Sequence, residues 1–100
     1  MSYINYIVLY DIADASKFNM KMFLDMELIF FDSIEEAFED IEDFVHKYNY
    51  LMSYNNKDLV YEIQKTKEQT ETHLEINESL VVGQTINKEF HIVIKKIHSD

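Results

Sequence analysis

The sequence predicts an α+β domain: a mostly antiparallel sheet of about five strands with one long acidic helix on one face, in the order β-β-α-β-β-β. Three observations carry that expectation. A helix-period stripe runs from Asp32 to Met52, a strict alternation runs from Met20 to Phe30, and two short apolar runs, Leu59 to Lys65 and Thr70 to Ile76, flank a polar tetrapeptide. The 100 residues hold no Gly/Ser/Pro-rich linker and no internal repeat, so a single domain spanning 1–100 is expected.

Tyr3 to Tyr10 is β-branched and aromatic on both parities, which marks an interior strand. A polar connection, Ala13 to Asn19, follows. From Met20, the residues Met20, Met22, Leu24, Met26, Leu28 and Phe30 share one face, while Lys21, Asp25 and Glu27 lie on the other. That period of two predicts a second strand, antiparallel to the first, with Leu24, Leu28 and Phe30 toward the core. The helix comes next. Ile34, Ala37, Phe38, Ile41, Phe44, Val45, Tyr48 and Leu51 fall on one stripe, and Ser33 with Glu36 has the spacing of a capping box. Asn55, Asn56 and Lys57 end it as a turn cluster.

Beyond the helix, residues 59–65 and 70–76 are expected to form a hairpin turning at Lys67 and Glu68. Leu59 would face Ile76, Tyr61 would face Leu74, and Ile63 would face Thr72. Its solvent side would then carry Glu62, His73 and Glu75. A short run, Leu80 to Val82, precedes the only glycine, Gly83. The last strand is expected over Glu89 to Ile97, with Phe90, Ile92 and Ile94 on one face.

Composition bounds the functions. Hydrophobic residues make up 47% of the chain and aromatics 14%, enough for a core without disulfides or a structural metal. The absence of cysteine excludes thiolate zinc sites and cysteine nucleophiles, and it suits a reducing cytoplasm. With no basic n-region at the start and no apolar run of spanning length, a soluble cytoplasmic protein is expected. Nine lysines, no arginine and nineteen acids give a net charge of -10, which repels nucleic acid and anionic lipid and favours a basic protein partner.

Signals for chemistry are thin. A single glycine excludes phosphate-cradling loops, and His46, His73, His91 and His98 show no metal-ligand spacing within any one element. The serines lie outside any nucleophile elbow. The expectation is a non-enzymatic protein without cofactor or metal.

One feature departs from what stability alone selects. Glu35, Glu36, Glu39, Asp40, Glu42 and Asp43 place six carboxylates in nine residues with no base among them. Pairs at i, i+4 are like charges, and each costs a few tenths of a kcal/mol, roughly 0.2–0.5. The six charges lie roughly 2 Å apart along the helix axis, against about one per 1.7 Å for duplex DNA. Such a row suits a lysine- and arginine-lined groove that ordinarily holds phosphates. Asp25 and Glu27, with Asp32, would extend the patch.

The junction Phe-Phe-Asp-Ser followed by Ile-Glu-Glu-Ala-Phe-Glu-Asp-Ile, within residues 26–48, resembles the small acidic proteins of phages and mobile elements in low-GC bacteria. That class includes anti-CRISPR proteins and DNA mimics. The resemblance implies an inhibitor that covers a basic nucleic-acid-binding surface of a host protein such as a CRISPR effector or nuclease, acting in the host cytoplasm. It carries over no functional residues. Two other classes stay open: an antitoxin or immunity protein against a basic nuclease, and an assembly module, a homodimer included, pairing through a sheet edge or through Tyr48, Tyr50 and Tyr54.

Overall fold

The computed structural model describes residues 3–11, 30–54 and 56–99. Strands β1 (Tyr3–Tyr10), β2 (Phe30–Phe31), β3 (Tyr61–Ile63), β4 (Ser79–Thr85) and β5 (His91–Ser99) form one antiparallel sheet in the order β2-β1-β5-β4-β3. Helices α1 (Ile34–Met52) and α2 (Lys67–His73) complete the α+β architecture, with a 3-10 turn at Lys57–Leu59.

β5 is the central strand, and β1 beside it has the interior position expected of it. They pair along their whole length, from Tyr3 opposite Ser99 to Tyr10 opposite Ile92. Tyr6, Val8 and Tyr10 share a face with Ile92 and Ile94, and that face receives α1. Ile92 and Ile94 are fully buried, as the alternation in the last strand predicts, with half-buried Phe90 packed beside them.

Helix α1 supplies most of the core. Its N-cap Ser33 accepts a hydrogen bond from the Glu36 backbone N–H at 3.2 Å, the first half of the expected capping box. Ile34, Ala37, Phe38, Ile41, Phe44 and Tyr48 are buried, and Met52 closes the stripe where Leu51 is expected. Leu51 is one position off the stripe and is exposed.

The expected strand over Met20 to Phe31 lies mostly outside the described residues. Its described end, Phe30–Phe31, does pair antiparallel with β1. The facing, however, is reversed. Phe31 sits opposite the core-facing Tyr6 and packs on the core, whereas Phe30 sits opposite Ile7 on the other side of the sheet and is 51% exposed.

The hairpin expected over 59–76 does not form. Residues Lys67–His73 are a helix because Thr66 and Gln69 make a reciprocal capping box: Thr66 Oγ1 accepts from the Gln69 N–H at 3.1 Å and Gln69 Oε1 accepts from the Thr66 N–H at 3.0 Å. Buried Thr70 and Leu74 are then one helical turn apart on the inner face. Released from that pairing, β3 adds to β4 instead, with Tyr61 opposite Thr85 and Ile63 opposite Gly83.

Strand β4 is longer than the short run expected around Leu80 to Val82. A register shift between Val81 and Gly83 bulges the strand and turns Val82 into the core. A Cβ on Gly83 would stand 3.1 Å from the Glu62 carbonyl oxygen, closer than an ordinary contact, so the missing side chain lets β3 and β4 approach.

A side chain covers the Tyr61 position on the outer edge of β3. Asn49 of α1 donates to the Tyr61 carbonyl at 2.9 Å and accepts from the Tyr61 N–H at 2.8 Å, standing where a further strand would pair.

Two expectations follow from this packing. Phe38→Ala or Phe44→Ala should each cost about 3–5 kcal/mol in urea denaturation, since both rings are at most 5% exposed. Thr66→Ala should cost about 1 kcal/mol, the loss of one good cap. A neutral Thr66→Ala would show that α2 does not depend on its box.

Candidate functional site

The site is the part of α1 that the core does not use. A helix turns about 100° per residue, so the six carboxylates spread over an arc of roughly 160° opposite the buried stripe. Glu35, Glu36, Glu39, Glu42 and Asp43 are exposed. The arc therefore has two flanks and a crest.

Asp40 does not belong with the other five. It is half-buried on the flank facing β1, and it accepts a hydrogen bond from the Tyr10 hydroxyl. Tyr10 in turn stacks on Phe44 with ring centroids 3.9 Å apart. Burial first, then the hydrogen bond and charge of Asp40 and the charge of Asp43, push the Tyr10 hydroxyl well above its ordinary range. Asp40 is thus a bonded member of the sheet–helix contact, withdrawn from the solvent-facing row.

The opposite flank borders a groove of 490 Å³. Glu35, Phe38, Glu39 and Glu42 of α1 form one wall, and Ile63, Thr66, Lys67 and Glu68 form the other. Lys67 Nζ reaches Glu35 Oε1 at 4.0 Å, an exposed and weak ion pair. On the crest, Asp43 pairs with Lys47 at 2.9 Å in a more exposed i, i+4 contact.

Helix α2 adds acids to the same side. The Tyr6 hydroxyl is raised first by burial and then by the charges of Glu71 and Glu35, so both acids lie within electrostatic reach of that hydroxyl. Glu68 and Glu71 escape a reading of the sequence that puts this stretch in a hairpin. The Thr66/Gln69 capping spacing is the signal that places them.

Other expected members separate. Asp25 and Glu27 lie outside the described residues. Asp32 is exposed and accepts from the Asn5 side chain at 3.2 Å. Glu62, His73 and Glu75 do not form one hairpin face, since His73 ends α2 and Glu75 lies past it. Tyr48, expected among the exposed tyrosines, is fully buried in the core, stacked on Phe44 and tilted against Tyr61. Tyr50 and Tyr54 are exposed, 64% and 78%, and meet edge to face with centroids 5.6 Å apart. Among the described residues, no three His, Asp or Glu side chains are arranged to hold a metal ion, and no helix is long and apolar enough to cross a membrane.

No protein-family model, curated protein or solved structure matches the chain.

The tyrosine environment has a pH consequence. Tyr6, Tyr10 and Tyr61 are all held above the ordinary value of 10.0 in the folded chain, each chiefly by burial. Unfolded tyrosines release their protons near pH 10, roughly, while the folded ones retain theirs. Stability is therefore complete below about pH 10 and falls as pH rises above it. Tyr10→Phe should make that alkaline fall shallower and cost about 1 kcal/mol at neutral pH, because Asp40 loses its donor. Urea denaturation at a series of pH values checks both, and an unchanged alkaline slope in the variant would count against the Tyr10 contribution.

Proposed function

We propose that this chain is a non-enzymatic inhibitor whose acidic α1 face covers a basic, nucleic-acid-binding surface of a host protein such as a CRISPR effector or a nuclease, in the host cytoplasm. The observation that carries the reading is the set of five exposed carboxylates, Glu35, Glu36, Glu39, Glu42 and Asp43, in nine residues of one helix. Their spacing averages roughly 3 Å along the axis, within a factor of two of the roughly 1.7 Å per charge of duplex DNA. Like charges at i, i+4 weaken a helix, so the row is retained at some cost to stability. A basic groove would convert that cost into charge-assisted hydrogen bonds and fast, steered association.

A reading in which the chain assembles through a sheet edge has less support at β3, because Asn49 already occupies the backbone groups of Tyr61 there. An immunity protein against a basic nuclease would use the same acidic face.

The variant Glu36→Lys/Glu39→Lys/Glu42→Lys tests the proposal while leaving Asp40 on Tyr10 and Asp43 on Lys47. It moves the net charge from -10 to -4, each substitution adding two units, and it sets the new cations at positions 36 and 39 one turn before Asp40 and Asp43. Thermal stability should hold or rise slightly. Wild-type chain used as bait in host lysate should capture a basic nucleic-acid-binding protein at low salt, lose it as salt rises, and yield it to added duplex DNA. A folded triple variant that captures the same protein with the same salt dependence would overturn the reading.

A further inference from the structure

Among the described residues, Tyr50 and Tyr54 take no part in the core. The core stripe of α1 ends in Tyr48 and Met52, and neither Tyr50 nor Tyr54 belongs to the buried cluster or packs against it. They touch each other, edge to face at 77°, and leave most of their ring surface in water. The Ser53 hydroxyl donates to the Tyr50 carbonyl at 3.1 Å and the Ser53 N–H donates to the Asn49 carbonyl at 2.9 Å, so the backbone joining the two rings is held as the last turn of the helix.

Their position is what gives the pair a use. Glu39, Asp43, His46 and Tyr50 follow the i, i+4, i+7, i+11 spacing of a single outward stripe, and all four are exposed. The stripe has carboxylates at one end and the aromatic corner at the other, with Asp43 and Tyr50 about 10 Å apart along the axis. Three residues of an extended chain span about the same distance.

We infer that the Tyr50–Tyr54 corner is a stacking anchor for an arginine of the basic partner protein, the aromatic half of a contact whose charged half is Glu39 and Asp43; this rests on the proposed function above. A guanidinium lies flat on an aromatic face and is less strongly hydrated than an ammonium, so arginine fits this corner better than lysine does. Two ring planes near a right angle offer the guanidinium one face while leaving its N–H edge free. Glu39, and Asp43 which it shares with Lys47, supply the complementary charge for neighbouring basic residues. A single-stranded nucleic acid would also stack on tyrosine, but the carboxylates repel its phosphates.

The test uses arginine and lysine peptides matched in length and charge, with binding to the full chain followed by fluorescence anisotropy. Arginine should bind about two- to fivefold tighter per ring engaged. Carboxylates alone also favour arginine, so the decisive comparison is between variants. In Tyr50→Leu/Tyr54→Leu the arginine-to-lysine ratio should fall to that of carboxylates alone, with the melting temperature kept. In Tyr50→Phe/Tyr54→Phe the ratio should be retained. An unchanged ratio in the leucine variant, or binding of a single-stranded oligonucleotide that the leucine variant loses, would overturn the inference. The Glu36→Lys/Glu39→Lys/Glu42→Lys variant separates the two ideas. If it keeps both peptides, the acidic-face reading fails; if it loses both while the leucine variant keeps the wild-type ratio, only the tyrosine anchor fails.

Discussion

One helix covers one face of a five-stranded sheet, and that constraint orders the rest of the molecule. Seven side chains of α1, from Ile34 to Met52, are needed to fill the space above Ile92, Ile94, Val82 and Tyr61. Once they point inward, the helix period leaves every other position of α1 to solvent or to the flanks. The carboxylates therefore have no freedom of placement. The same requirement that builds the core presents Glu36, Glu39 and Asp43 outward and turns Asp40 toward Tyr10. The backbone positions of these acids are therefore fixed by the packing of the core beneath them.

The legible and illegible parts of the fold divide by the range of the signal. β1 and α1 are readable because their patterns are long: eight residues of β-branched and aromatic character, and a stripe five turns deep with its cap. Period-two and period-3.6 patterns separate cleanly over that length. The stretch from Thr66 to Leu74 misleads because it is short. Thr-Lys-Glu-Gln satisfies both a turn between strands and a capping box, and Thr70, Thr72 and Leu74 alternate as a strand would. Local hydrogen bonding decides the outcome. Thr66 and Gln69 satisfy each other's backbone donors, and the hydroxyls of Thr70 and Thr72 return to the Thr66 and Glu68 carbonyls. A strand there would have to leave that network.

Register is the other illegible quantity. Alternation in Met20 to Phe30 names two faces without saying which is inner, and the answer depends on a partner strand. Tyr6 facing the helix forces its neighbour Phe31 to do so as well, and Phe30 goes outward. The same limit hides Asp40. Six acids in nine residues look equivalent along the sequence. Only the position of Tyr10, at the end of a strand thirty residues earlier, distinguishes the one that is drawn into the sheet contact from the five that stay exposed.

Asn49 links α1 to the β3 edge. A three-residue edge strand ordinarily leaves its outward N–H and C=O groups as a template for another chain. Here the amide of Asn49 pairs both groups of Tyr61, and its position on α1 is dictated by the same stripe that buries Tyr48 and Met52. The backbone groups of Tyr61 are thereby taken up beside the helix that carries the carboxylates. The groove between α1 and α2 has apolar ground in Phe38 and Ile63 and acids on both walls, while Lys67 offsets only part of that charge. The exposed side of α1 therefore concentrates negative charge, with the Tyr50–Tyr54 rings at its C-terminal end, both fixed in place by the stripe that the core buries.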